Sequence, residues 1–90
     1  MTQVKKLKIR NDLGLHGRAA AKIVALAGQY EAELFFKKDD HEVDGASILS
    51  ILTLACPKGT ELEARAVGED SEELMEKLSE LFRQKFGETK

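Results

Sequence analysis

The stretch Asn11-Asp12-Leu13-Gly14-Leu15-His16-Gly17-Arg18-Ala19-Ala20-Ala21-Lys22-Ile23-Val24-Ala25-Leu26-Ala27-Gly28 joins a turn to a helix, with a histidine at the joint. Asn11 to Gly14 has the composition of a turn. From Arg18 onward, Ala20, Ile23, Val24 and Ala27 recur at i, i+3, i+4 and i+7, one face of an amphipathic helix. Gly28 stands where a helix C-terminal glycine is expected. Upstream, residues 2–10 alternate, with Val4, Lys6 and Lys8 opposed to Leu7 and Ile9, which predicts a half-buried strand. A strand, a turn and a helix thus open the chain.

The remaining elements follow from the same periodicities. Ala32, Leu34 and Phe36 alternate with Glu33, Phe35 and Lys37 as a second strand. Lys38-Asp39-Asp40 predicts a tight turn into a short third strand around His41 to Val43. Asp44-Gly45-Ala46-Ser47 reads as a helix start before the apolar Ile48, Leu49, Ile51, Leu52 and Leu54. Pro57-Lys58-Gly59 makes a turn, and Leu62, Ala64 and Ala66 alternate with charged residues as a fourth strand. Asp70 and Glu73 have capping-box spacing before a last helix whose apolar stripe is Leu74, Leu78, Leu81, Phe82 and Phe86. Glu72 and Glu73 fall in its first turn and Arg83 and Lys85 in its last, with Gly87 ending it. The order β-α-β-β-α-β-α predicts an α+β open-faced sandwich, a four-stranded, largely antiparallel sheet covered on one face by three helices.

Composition narrows the classes. The 90 residues hold 14 Lys plus Arg and 16 Asp plus Glu, with one Pro, one Cys and no Trp. No repeat or linker divides them, so residues 1–90 read as one small domain of the kind a short chain can bury. One cysteine excludes a disulfide framework and a multi-Cys zinc site. No apolar run reaches the roughly 18 residues that cross a bilayer, and the N-terminus lacks a signal-peptide core, so a cytoplasmic monomer without membrane insertion is expected. The charge is also divided: residues 1–38 carry eight basic and three acidic side chains, and residues 39–90 carry six and thirteen. The basic part suits an anionic ligand or partner, although simple solvation of the surface has the same signature. Few aromatics and a net acidic chain argue against nucleic acid.

Several sites are excluded by motif. There is no Walker A loop, no G-x-G-x-x-G and no H-E-x-x-H. The run from Asp40 to Gly45 begins like a calcium loop, but its twelfth position is Ile51, which removes the bidentate ligand. No metal and no organic cofactor are therefore expected. Cys56 reads as a small buried or half-buried thiol, and His41 as an exposed loop histidine.

His16 differs from these. A helix that begins near Gly17 or Arg18 points its free N–H groups at the His16 ring, and the helix dipole adds to their pull on an anion. Arg18 adds a guanidinium suited to phosphate oxygens, and Gly17 permits close backbone approach. A nucleophilic ring nitrogen among anion-binding donors is what reversible phosphoryl transfer requires. A histidine that only caps the helix, with Arg18 exposed to water, satisfies the same spacing.

Together, Leu15-His16-Gly17-Arg18-Ala19-Ala20, Gly45-Ala46-Ser47-Ile48-Leu49 and the order of elements resemble HPr. That family comprises the histidine-containing phosphocarriers of the bacterial phosphoenolpyruvate-dependent sugar phosphotransferase system. The resemblance spans essentially the whole chain, including the Pro57-Lys58-Gly59-Thr60-Glu61 turn. It implies that His16 accepts a phosphoryl group on Nδ1 from phosphorylated enzyme I and passes it to enzyme IIA domains in sugar uptake. It further implies that Arg18, with the backbone at Gly17, Arg18 and Ala19, binds the phosphoryl group. Ser47 matches a serine that HPr kinase/phosphorylase modifies in many bacteria, and Ile48, Leu49, Ile51 and Leu52 match a partner-docking helix. On residues alone, Ser47 could equally be an ordinary helix cap. A carrier of this kind is modified and restored in each cycle rather than acting as an enzyme.

Two departures stand out. The family usually has Ala-Arg-Pro after the histidine, where this chain has Gly17-Arg18-Ala19. Losing Pro removes a preset φ at the first turn but keeps a strong helix former, while Gly17 loosens the loop. Two rival readings share the scaffold. One is a regulatory paralogue in a nitrogen-related phosphotransfer branch. The other is a nonphosphorylated protein-binding module acting through the Ile48–Leu52 patch.

Overall fold

The computed structural model describes residues 1–90. The elements in order are β1 (Thr2–Lys8), α1 (Gly17–Ala27), β2 (Glu33–Lys38), β3 (His41–Asp44), α2 (Ile48–Leu52), β4 (Glu61–Val67) and α3 (Ser71–Arg83). A single 3₁₀ turn over Lys85–Gly87 follows. The four strands form one sheet in the order β1-β4-β2-β3, and every neighbouring pair is antiparallel. The three helices lie on one face of it, as the order of elements predicted. No helix is long and apolar enough to cross a membrane.

Alternation decides which face is covered, because successive strand side chains point to opposite sides. Leu7, Leu34, Phe36, Leu62, Ala64 and Ala66 are buried beneath the helices. The alanines of the central strand β4 leave room for Ile23 of α1 and for Leu74, Leu78 and Phe82 of α3, all buried. The open face carries matched charges in register: Lys6 and Lys37 both stand opposite Glu63, and Lys37 also faces Glu42. There Arg65 sits 4.4 Å over the Phe35 ring and donates to Glu42 at 2.9 and 3.2 Å. Lys6, Lys37, Glu42, Glu63 and Arg65 are thus matched with one another on the sheet's wet face. The β2–β3 hairpin turns on Asp39 and Asp40, with φ of 50° and 66°, the left-handed pair that a two-residue turn demands.

Several local expectations need correction. Asp70 precedes α3 but makes no capping bond. Its carboxylate instead accepts the amides of Glu31 and Ala32 at 2.9 and 2.8 Å, stapling the α1–β2 loop to the start of α3. Gly28 ends α1 in the right-handed region, with φ of −65°, so the helix stops without a left-handed glycine. His41 is exposed but opens β3 rather than lying in a loop. Finally, α3 ends at Arg83, and both Lys85 and Phe86 adopt φ of 57°. Phe86 therefore does not extend the helical stripe, and Lys85 is not in the last turn of α3. The left-handed bend returns the Phe86 ring to the core, edge-on to Phe82 at 4.9 Å between centroids.

Candidate functional site

The site begins with the loop between β1 and α1. Asn11 is fully buried, and its Nδ2 donates to the Gly14 carbonyl at 2.8 Å, which closes the turn. Gly14 has φ of +71°, and a Cβ there would lie 2.7 Å from the Cys56 carbonyl. The loop can thus press against the α2–β4 connection, where the Leu15 amide donates to that same carbonyl at 2.8 Å. His16 follows with extended backbone (φ −90°, ψ 179°) and caps α1. The helix starts at Gly17, as expected from the sequence, and it does so without proline. Gly17 meets no spatial need for glycine, since a Cβ there would touch nothing within 4 Å.

The His16 ring is held at both nitrogens. The Arg18 amide donates to Nδ1 at 3.2 Å, and Nε2 lies 2.6 Å from Oε2 of Glu88. A backbone N–H can only donate, so Nδ1 presents its lone pair and the proton of the neutral ring belongs on Nε2, facing the carboxylate. His16, with Asn11 behind it, holds the Glu88 carboxyl below the usual carboxylate range in spite of its partial desolvation. Around Nδ1, the amides of Gly17 and Ala19 have no acceptor in the protein. They are among the unsatisfied donors every helix start leaves. The Arg18 side chain is exposed, whereas that of Ala19 is buried, so Ala19 can offer only its backbone. Arg18, Lys22 and Lys90, together with the carboxylates of Asp12 and Glu88, line an open cleft of about 600 Å³ that His16 itself does not line. Backbone donors thus gather around a ring nitrogen that is unprotonated and spends its electron pair on the weak Arg18 bond.

Glu88 is the residue that sequence reasoning missed. It is 72 positions from His16, in a tail beyond Gly87 to which the sequence pattern assigns no element. The available signal was Phe86, an aromatic two residues before Glu88 that had to be buried. Its burial anchors the tail, and Lys22 Nζ donates to its carbonyl.

The second motif lies on α2. Ser47 caps that helix, its Oγ accepting the Ser50 amide at 3.2 Å. Leu49 is 78% exposed, Ile48 is 37% exposed and Leu52 is half-buried. Ile51 departs from its expected place on the docking surface. It is completely buried, because a five-residue helix lying on the core must turn one of its apolar residues inward. Leu13, in the loop before His16, is 66% exposed and was not singled out in the sequence. Cys56 is buried, and burial pushes its thiol pKa up, the opposite of an activated nucleophile. No group of three or more His, Cys, Asp or Glu residues is arranged to hold a metal ion.

Against known families, residues 3–84 match the family described as PTS HPr component phosphorylation site. The chain belongs to the HPr family. Phosphocarrier protein HPr of Neisseria meningitidis serogroup A is 39% identical over 84 residues, covering 93% of this chain and 94% of that protein. Its counterpart from Pseudomonas aeruginosa is 40% identical over 84 residues, covering 92% and 93%. Among solved structures, HPr-C-His from Thermoanaerobacter tengcongensis superposes with a TM-score of 0.93 at 33% identity, over 98% of this chain and 99% of that one. HPr proteins are phosphocarriers of the phosphotransferase system, so the class expected from the sequence holds, as does the open-faced α+β fold.

Proposed function

We propose that this HPr-family chain carries a phosphoryl group on Nδ1 of His16, received from phosphorylated enzyme I and delivered to enzyme IIA proteins in sugar uptake. The observation that carries the reading is the unprotonated Nδ1, whose electron pair accepts the Arg18 amide among the first-turn donors of α1. Nδ1 attacks phosphorus. The amides of Gly17 and Ala19, joined by that of Arg18 once Nδ1 is substituted, are then available to the phosphoryl oxygens. The exposed Arg18 guanidinium can close over the group and neutralise its charge. The chain alternates between two covalent states and catalyses nothing on its own account.

The partner surface in this proposal is the exposed Ile48 and Leu49 of α2 with the half-buried Leu52, joined by Leu13 of the histidine loop. Ser47 is the proposed regulatory phosphosite, a substrate for an HPr kinase/phosphorylase. A phosphate there would replace the Oγ cap with about −1.5 to −2 charges next to an apolar docking patch, disfavouring partners that bring carboxylates. Incubation with ATP and such a kinase should yield one acid-stable phosphate, absent in Ser47→Ala. The unphosphorylated Ser47→Ala chain should be destabilised by about 1 kcal/mol through the lost cap. An acid-stable phosphate persisting in Ser47→Ala would remove the serine from this role.

The main experiment combines the protein with phosphoenolpyruvate and a bacterial enzyme I, with a known carrier alongside as control. Intact mass should show one acid-labile phosphoryl group per chain, transferable to a IIA protein. A chain that stays unmodified while the control is labelled contradicts the proposal.

A further inference from the structure

Glu88 is not explained by the acceptor chemistry alone, and for a tail residue its carboxylate is unusually well bonded. Oε2 faces Nε2 of His16 at 2.6 Å, and Oε1 accepts from Nδ2 of the buried Asn11 at 3.0 Å. Asn11 also donates from Nδ2 to the Gly14 carbonyl, so both of its partners are acceptors and its amide has one consistent orientation. Behind Glu88, the buried Phe86 ring and the Lys22 ammonium on the Phe86 carbonyl pin the tail to the core and to α1. The carboxylate is thus gripped at both oxygens and from behind. The charged groups that face it are His16 and, more distantly, Arg18.

We infer that Glu88 is a positioning residue for phosphoryl transfer: clamped by Asn11, it keeps the His16 proton on Nε2, which leaves Nδ1 as the nucleophile, and it faces the charge the ring acquires on attack. The inference rests on the phosphocarrier reading of His16. On uptake, the Nδ1 electron pair forms the bond to phosphorus while the donor's bond to phosphorus breaks, its electron pair leaving with the donor. The ring keeps its Nε2 proton and becomes cationic beside the Glu88 carboxylate. On delivery the acceptor attacks phosphorus, and the electron pair of the Nδ1–P bond returns to the ring, which is neutral again with its proton still on Nε2. No proton is exchanged in either direction. The carboxylate therefore orients the ring and stabilises charge without titrating, as the buried aspartate does for a catalytic-triad histidine.

The substitution that tests this is Glu88→Gln, which preserves size and removes charge. In ¹⁵N-labelled protein, the neutral wild-type His16 ring should show the Nε2–H tautomer alone, and Glu88→Gln should show a mixture. Phosphoryl uptake from phosphoenolpyruvate through enzyme I should slow about tenfold in the maximal rate, the lower end of the loss seen when the hydrogen-bonded partner of a metal-bound histidine is removed. The apparent KM of the carrier for enzyme I should be unchanged, because the tail carboxylate is not on the α2 patch. A Glu88→Gln chain that keeps either the wild-type tautomer or the wild-type rate overturns the positioning role while leaving His16 as acceptor. A wild-type chain that takes up no phosphate overturns both.

Discussion

His16→Ala should abolish acid-labile phosphorylation, with labelling by phosphoenolpyruvate and enzyme I falling below detection at times when the wild type is fully modified. The expectation is absolute because the proposed chemistry has one nucleophile. The other histidine, His41, is exposed at the start of β3 and has no helix terminus behind it. The one cysteine is buried with its thiol pKa raised. Stability should change little by comparison. The His16 side chain is partly exposed, and its replacement removes one helix cap and one contact to Glu88, a loss of about 1 kcal/mol. Thermal unfolding and circular dichroism on the same sample separate the two effects. A folded His16→Ala chain that still accepts acid-labile phosphate would move the acceptor elsewhere.

The largest effect on folding should come from Phe82→Ala. Phe82 is 2% exposed and lies between two other core rings, with centroids 6.2 Å from Phe36 on the sheet and 4.9 Å from Phe86 in the tail. Truncation deletes a ring from the junction of α3, β2 and the 3₁₀ turn, and the β4 alanines cannot reach in to fill the space. The expected cost is about 3–5 kcal/mol, read as a lower midpoint of urea unfolding with an unchanged slope. That is a large share of the roughly 5–15 kcal/mol by which such domains are stable. Because Phe86 loses its partner, the Glu88 tail should also become more mobile, seen as faster amide exchange at Gly87 and Glu88 than destabilisation alone produces. A loss below about 1 kcal/mol would mean that the three rings are not a cooperative unit.

How far the sequence could be read depended on whether local pattern or distant contact decided each feature. The strands and α1 were legible because Leu7, Leu34, Phe36, Leu62 and Ile23 each belong to a periodicity that has only one way to bury its apolar side. The histidine at the start of α1 was legible because a cap is a local event, set by residues 16 to 20. Asp70 was misread because the spacing to Glu73 says nothing of the Glu31 and Ala32 amides, which approach from 39 and 38 residues away and compete for the same carboxylate. Ile51 was misassigned because an apolar run in a short helix does not reveal which residue turns inward. Glu88 was out of reach for a related reason: its partner is chosen by the left-handed bend at Lys85 and Phe86, and that bend exists only because the core accepts the Phe86 ring. With Gly17 and Ala19 in place of the family's usual Ala and Pro, α1 still starts where an extended His16 caps it and needs no proline to do so.

The central claim is that Nδ1 of His16 receives the phosphoryl group, and ³¹P–¹H and ¹⁵N correlation spectra of the protein phosphorylated through enzyme I test it most directly. The expected result is a single phosphorus coupled to the His16 ring at Nδ1, with the proton retained on Nε2 opposite Glu88. A phosphorus on Nε2, or on any residue other than His16, would contradict the account.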